Sequence, residues 1–431
     1  MAYNLGLLGL GTVGTGVAQI LQSPSHRNPL LKELQLAKIG VRSLGKQRDI
    51  QLTEGVLTDD LDNIVTDSTI DVVVELLGGI EPSRSLMLTA IANGKHVVTA
   101  NKAVIAAHGE EILAAAQSKG VCVFFEASVG GGIPILQPLQ QCLGANVLQT
   151  ITGIVNGTTN YMLDRMTKNG EAFEAVLAVA QDLGYAEADP TADVDGLDAA
   201  DKIAILASLA FDLQVNRKNV FCEGIRAITA ADIEHAREWG FNVKLLATAN
   251  RLPGDAHQLD IRVHPTLLPH DHPLANVHQA NNAVLVNGDP LGEVMFYGPG
   301  AGRGPTASAV VSDIVNVIAR LELGTEHPNK LFLSMPAQSA DVRSIEEATM
   351  RYYTRLLARD RAGVIGELGG CFGDCGVSLE QVIQKDVKDD VAEVVVLTHN
   401  VQEKHFRQAI AAIQELDAIH SVPTTIRVLP D

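Results

Sequence analysis

The first sixteen residues constrain this chain more than any other part of it. The apolar run Leu5-Gly6-Leu7-Leu8 leads into Gly9-Leu10-Gly11-Thr12-Val13-Gly14, and an amphipathic stretch, Val17-Ala18-Gln19-Ile20-Leu21, comes next. Glycines at this spacing mean little alone, but between a strand and a helix they mark a dinucleotide turn. The first glycine permits the tight turn and the second lets backbone approach a pyrophosphate. The third lets helix and strand pack closely, with the helix N-terminus facing the anion. Gly9, Gly11, Thr12, Val13 and Gly14 are therefore candidate cofactor contacts.

The residues up to about 126 repeat this alternation. Strands are predicted over 34–41, 71–76, 96–99 and 121–126, with helices over about 82–92 and 106–119. Asp71-Val72-Val73-Val74-Glu75-Leu76 reads as a strand buried on both faces. Alternation of this kind gives an α/β fold with an open, doubly wound parallel sheet of Rossmann type. Beyond Gly130 the character changes: helices are predicted over 173–183 and 198–211, and strand-like segments between 241 and 297. The turn 298–305 opens a helix over about 306–323 that completes the first domain. Residues 324–349 read as a linker, and 350–431 read strand, helix, strand, strand, helix, strand, a ferredoxin-like order. The expected division is a cofactor domain over 1–130, an α+β substrate and oligomerisation domain over 131–302, and this C-terminal module.

A chain of 431 residues exceeds one comfortable core, which agrees with several domains. Its formal charge of −18, with no basic block, argues against a nucleic-acid partner. The five cysteines have no zinc spacing and fit reduced thiols; Cys371 and Cys375 could share a helical face as small buried thiols. No charged leader precedes the first apolar run and no stretch approaches a membrane span, so a cytoplasmic enzyme without a membrane partner is expected.

The second strand ends in Val41-Arg42-Ser43 where an NAD-binding turn would carry a carboxylate. Arg42 suits a 2′-phosphate, so NADP is favoured over NAD. Lys102 comes just after the strand 96–99 and so stands at the end of the sheet where ligands bind. The segment Gly184-Tyr185-Ala186-Glu187-Ala188-Asp189-Pro190 through Asp198 and Lys202 crowds carboxylates ahead of an apolar helix. Asp198 and Lys202 share one helical face with Ile205, Leu206 and Leu209, which places the pair at the edge of a buried surface, where a lysine can serve as proton donor. An ordinary ion pair on a helix surface is the competing reading. Glu126 and the glycine turn after it, read as flexible, are able to wrap a hard cation with backbone carbonyls. His270-Asp271-His272 reads as a solvated loop, not a zinc site.

These motifs, with Thr99-Ala100-Asn101-Lys102-Ala103 and Gly153-Ile154-Val155-Asn156-Gly157-Thr158-Thr159-Asn160-Tyr161, resemble the homoserine dehydrogenase family over essentially the whole chain. The resemblance implies reversible, NAD(P)-dependent reduction of L-aspartate 4-semialdehyde to L-homoserine, on the route to threonine, isoleucine and methionine. It makes Lys202 the proton donor, with Asp198 beside it, and sets Lys102 by cofactor and substrate. Glu187, Asp193 and Asp198 would hold the substrate, and Gly184 and Gly302 would contact the dinucleotide. A sodium ion would lie at Glu126 and the backbone of Val129, Gly131 and Ile133. The C-terminal segment resembles an ACT domain, which implies an amino-acid effector, threonine by the pathway's logic, near 359–364. No aspartokinase domain is expected ahead of the first strand, and a homodimer or homotetramer is expected.

Two rival readings remain at this level. A cysteine-thioester semialdehyde dehydrogenase needs an activated thiol, and neither Cys122, inside an apolar strand, nor Cys142 has an electropositive neighbourhood in the sequence. A non-catalytic sensor of dinucleotide and amino acid would leave Lys202 and its carboxylates idle.

Overall fold

The computed structural model describes residues 2–323, 336, 338–388 and 391–429. The chain runs β1 (Tyr3–Leu8), α1 (Thr12–Gln22), β2 (Leu34–Gly40), β3 (Leu57–Thr58), α2 (Leu61–Thr66), β4 (Val72–Glu75), α3 (Ser83–Ala92), β5 (His96–Thr99), α4 (Lys102–Lys119), β6 (Val123–Phe124), α5 (Leu136–Gln140) and β7 (Val147–Ile154). It continues with α6 (Gly157–Asn169), α7 (Phe173–Asp182), α8 (Thr191–Val194), α9 (Leu197–Phe211), β8 (Phe221–Cys222), α10 (Ala230–Glu238), β9 (Phe241–Arg251), β10 (Gln258–Pro269), β11 (Asn281–Asp289), β12 (Gly292–Pro299) and α11 (Arg303–Glu322). The C-terminal part is β13 (Asp341–Val342), β14 (Thr349–Arg359), α12 (Val364–Asp374), β15 (Leu379–Lys388), β16 (Val391–Thr398), β17 (Val401–Gln402), α13 (Glu403–Gln414) and β18 (Ile419–Val428).

Two compact units result. Met1–Ile151, Asp201–Asn219 and Asn282–Ala340 make the first; Thr152–Ala200, Val220–Asn281 and Asp341–Asp431 make the second. The first is built on a parallel sheet in the order β3-β2-β1-β4-β5-β6, the doubly wound arrangement that the β-α alternation predicts. Strand β4 is buried from end to end, as its three valines require. Helix α11 lies on α1, and a Cβ on Gly16 would stand 2.8 Å from the carbonyl oxygen of Arg303. This close approach completes the cofactor fold with a helix from far along the chain.

In the second unit β9 and β10 form a long antiparallel pair, with Leu259 opposite Arg251 at one end and Pro269 opposite Phe241 at the other. The C-terminal strands lie in the order β18-β14-β16-β15 and carry α12 and α13, the ferredoxin-like arrangement. Their core packs Tyr352, Phe372 and Phe406, with the Tyr352 and Phe406 rings stacked at 4.0 Å. This sheet does not stop at its own edge. Strand β18 pairs in parallel with β10, Arg427 opposite Thr266 and Val428 opposite Leu267.

Several boundaries differ from expectation. Helix α4 begins at Lys102, not near 106, because the Asn101 side chain caps it by accepting from the Val104 amide. The strand expected over 121–126 shortens to two residues, since Glu126–Ser128 turns into a 3-10 helix. Strand β18, expected from Thr424 to Leu429, starts at Ile419, ahead of Pro423; the pairing with β14 skips from Thr424 to Ser421, and this bulge absorbs the proline. Of the expected linker, 324–335 and 337 lie outside the described residues. Its remainder holds β13, paired with β10, and a 3-10 turn at Ile345–Glu347.

The seam between β10 and β18 buries charge. Arg427 is 3% exposed; it donates to both oxygens of buried Glu403 at 2.9 and 2.6 Å and to Glu223 at 2.8 Å. Tyr352 adds a third donor to Glu403 at 2.7 Å. Removing one partner of such a set strands the others. Arg427→Met is therefore expected to cost about 3–5 kcal/mol of unfolding free energy, measured by urea titration. A second substitution, Glu403→Gln, is expected to recover part of that loss.

Candidate functional site

The glycine turn of the first unit performs the roles its spacing implies. Gly9 sits at φ +102°, a conformation other residues avoid, and its amide donates to Gly40 at 2.9 Å. A Cβ on Gly14 would lie 2.2 Å from the Gly9 carbonyl oxygen, so only hydrogen fits where α1 meets the turn. Gly11 faces open space, and α1, which starts at Thr12 and Val13, has no acidic residue in its first turn. An unopposed helix N-terminus beside bare backbone suits a pyrophosphate. Gly302, at φ +113°, caps α11 where that helix meets α1.

Arg42 is exposed just past the end of β2. Arg48, by contrast, is committed to the turn itself: its guanidinium donates to the carbonyls of Ser43, Leu44 and Lys46. Lys102 opens α4 behind a polar lock that the sequence reading missed. Glu75, wholly buried, accepts from the Leu77 amide at 2.8 Å and the Thr99 hydroxyl at 2.6 Å; Thr99 accepts from the Asn101 amide at 3.0 Å. Its one signal was a carboxylate closing an otherwise apolar strand.

The turn after β6 is rigid, not flexible as its glycines suggest. Glu126 is buried and accepts amides from Ile135 and Leu136 on one oxygen and Gln137 on the other. Its own amide donates to Asp313 at 2.9 Å. Val129 and Ile133 are buried, and a Cβ on Gly131 would strike the Gly300 carbonyl oxygen at 2.3 Å. Burial pushes both carboxyls up, Asp313 the further, with Glu126 adding to it. Among the described residues no group of three or more His, Cys, Asp and Glu side chains is placed to hold a metal, and His272 caps a 3-10 turn instead. Cys122 does meet a cation, since Arg320 donates to its sulfur at 3.1 Å, yet burial still pushes the thiol up.

In the second unit the carboxylate loop is held from several sides. Asn156, the N-cap of α6, donates to Asp193 at 2.7 Å and to Asp198 at 2.9 Å. Thr158 donates to the Tyr185 carbonyl at 2.6 Å, fixing the stretch that carries Gly184 and Glu187. Gly184 takes φ +74° and Glu187 is exposed. Asp198 lies buried in the first turn of α9, and Lys202, half-buried, comes one turn later on the same helix. The structure thus joins Asp193 and Asp198 through a residue whose role the sequence reading did not assign.

Below this lies Lys244 of β9, 3% exposed, donating to Asn160 and to the Val277 carbonyl. The Asn160 amide in turn reaches the carbonyls of Val277, Gln279 and Asn281. Burial lowers the Lys244 pKa from 10.5 to about 8, with Asp164 partly restoring it. The unfolded chain keeps this proton up to 10.5, so stability rises with pH between about 8 and 10.5 and is lost as pH falls back through that window. At about 1.4 kcal/mol per pH unit the gain is about 3 kcal/mol, and Lys244→Met is expected to abolish it in unfolding curves taken across that window.

Comparison with known proteins gives a consistent picture. The family model for homoserine dehydrogenase matches residues 134–315, that for the homoserine dehydrogenase NAD binding domain matches 9–126, and that for the ACT domain matches 352–418. A homoserine dehydrogenase of Synechocystis sp. is 56% identical over 432 residues, covering all of both chains. The crystal structure of a homoserine dehydrogenase from Thiobacillus denitrificans superposes with a TM-score of 0.91 at 42% identity, over 100% of this chain and 98% of that one. A hyperthermophilic archaeal homoserine dehydrogenase solved with NADPH matches 74% of this chain and 98% of its own, with a TM-score of 0.61 and 26% identity.

Proposed function

The chain belongs to the homoserine dehydrogenase family of oxidoreductases, and we propose that it interconverts L-aspartate 4-semialdehyde and L-homoserine with NADP in preference to NAD, under inhibition by threonine. The observation that carries the chemistry is the pair of carboxylates, Asp193 and Asp198, held on one amide, with Lys202 one turn beyond Asp198 on α9.

The dinucleotide supplies the hydride when bound. Residues 1–130, with α11, are assigned to holding it: Gly9, Gly11, Thr12, Val13 and Gly14 cradle the pyrophosphate, and Gly184, Gly302 and Lys102 contact the nucleotide. The remaining steps belong to side chains. Glu187, Asp193 and Asp198 receive the ammonium group of an amino-acid substrate, which explains acids clustered at a site that acts on an aldehyde. Lys202 donates the proton as negative charge develops on the carbonyl oxygen, and Lys102 stabilises that charge. The reverse reaction returns the proton to Lys202.

Arg42 supports NADP, as does the archaeal relative solved with NADPH. Glu126 and the carbonyls of Val129, Gly131 and Ile133 are the groups that would hold a sodium ion: Glu126 is a buried carboxyl, and a cation beside it would offset a charge that is taken out of water. Exposed Met295 and Tyr297 on β12 support a homodimer or homotetramer through that strand. No helix among the described residues is long and apolar enough to cross a membrane, in keeping with a cytoplasmic enzyme.

Threonine inhibition is supported by the seam. Residues 350–431 are assigned as the effector module, with ligand at the turn 359–364, where Gly363 caps α12 at φ +95°. From that module Arg427 grips Glu223, and Arg355 and Thr424 grip the wholly buried Asp232 at 2.7 and 2.9 Å. The segment so held also touches the substrate loop: the Ile225 amide donates to Val194 at 2.8 Å, and Arg226 pairs with Asp195.

Lys202→Ala is expected to lower kcat by about a hundredfold or more, with dinucleotide affinity unchanged, read from nicotinamide absorbance with homoserine. Threonine is expected to slow the wild type in the same assay; dinucleotide binding without turnover would favour the sensor reading. Arg42→Ser is expected to raise KM for NADP about tenfold while leaving NAD unaffected, measured by initial rates.

A further inference from the structure

We infer that Asn156 is a positioning residue for ammonium recognition, setting the spacing of the Asp193 and Asp198 carboxylates; this rests on the assignment of those two acids to the substrate's amino group. Three observations converge on it. Asn156 is buried, and its side-chain oxygen is fixed by the Thr159 amide at 2.8 Å and the Thr159 hydroxyl at 2.9 Å. That orientation aims the amide nitrogen away from α6. Its two hydrogens then go one to each carboxylate, at 2.7 and 2.9 Å.

The residue type reflects this double duty. Asp, Ser and Thr cap helices as well as Asn does. None of them also offers two donors, because a carboxylate has none and a hydroxyl has one. Asn alone among good caps can satisfy a helix start and tether two anions with the same side chain. The tether has mechanical value. Asp193 sits on α8, a helix of only four residues, and Asp198 on the first turn of α9. Two like charges on separate helices repel, and a neutral donor shared between them holds both within about 3 Å of one nitrogen. An ammonium group arriving there finds its acceptors already spaced. The α-amino group, rather than the alcohol, is then what Asn156 selects for.

The test compares homoserine with 4-hydroxybutanoate, which keeps the alcohol and carboxylate and lacks the amino group. The measurements are KM for homoserine, the inhibition constant of 4-hydroxybutanoate and dinucleotide affinity, in wild type and Asn156→Ser. The expected result is a rise in the homoserine KM of about tenfold to a hundredfold, with the other two quantities unchanged. Equal weakening of both ligands, or an unchanged homoserine KM, would overturn the inference. Should the serine variant fail to fold, Asn156→Thr keeps the cap, leaves a single hydroxyl donor and is read the same way. Asp193→Asn separates the two levels. If it leaves homoserine preference intact, the ammonium reading fails and the inference with it; if it lowers preference while Asn156→Ser does not, the inference alone fails.

Discussion

A guanidinium cannot sit in a protein interior without anionic partners, and much of the second unit is arranged around that fact at Arg427. Its fork is shared between Glu403, on the first turn of α13, and Glu223, just beyond β8. Glu403 gains further donors from Tyr352 and Arg407. Arg427, Glu403 and Tyr352 are buried, so none of these three can leave alone, and the cluster ties the C-terminal strands to residue 223 beside β8. The parallel pairing of β18 with β10 adds backbone hydrogen bonds to the same join. An effector bound to the C-terminal module, as proposed, would act through this seam.

Residues 221–226 carry this rigidity toward the carboxylates. A Cβ on Gly224 would stand 2.1 Å from the Val194 carbonyl oxygen and 2.4 Å from the Asp195 Cα. The glycine is required by direct backbone-on-backbone contact. The Cys222 sulfur reaches the Asp195 carbonyl at 3.2 Å, and the Glu223 amide donates to Val263 at 2.9 Å. At Gly224 the two backbones meet directly, and close-packed interiors transmit strain.

The parts of this architecture legible in the sequence are those set by local periodicity. Val72-Val73-Val74 could only be an interior strand, and Gly9, Gly11 and Gly14 specified both turn and helix. The ferredoxin-like order of the C-terminal module was equally plain, since its strands and helices alternate with short turns. Boundaries failed where a side chain overrode the pattern. Asn101 starts α4 early, and its identity as a capping residue was the available signal. The glycines after Glu126 suggested flexibility, yet 127–131 are buried, with Gly131 pressed against Gly300. Spacing alone does not distinguish a glycine that frees a chain from one that lets two chains touch.

The site divides along the same line. Asp198 and Lys202 were visible because one helical turn relates them. Asn156 was not, because it bonds to residues 37 and 42 positions away and its motif shows only a helix start. Glu75 was hidden for a similar reason, its partner Thr99 lying on the neighbouring strand. In both cases a buried polar side chain bonds partly to a near neighbour and partly to a group distant in sequence. Such residues orient others and need not touch a ligand, so chemistry-bearing motifs do not reveal them. In the fold they are betrayed by the accounting of buried donors and acceptors, which leaves Asn156 with no hydrogen unassigned. If Asp193 and Asp198 receive an ammonium group as proposed, a neutral donor between them has a clear use: a cation in its place would compete with that group, whereas an amide spaces the acids and leaves their charge intact.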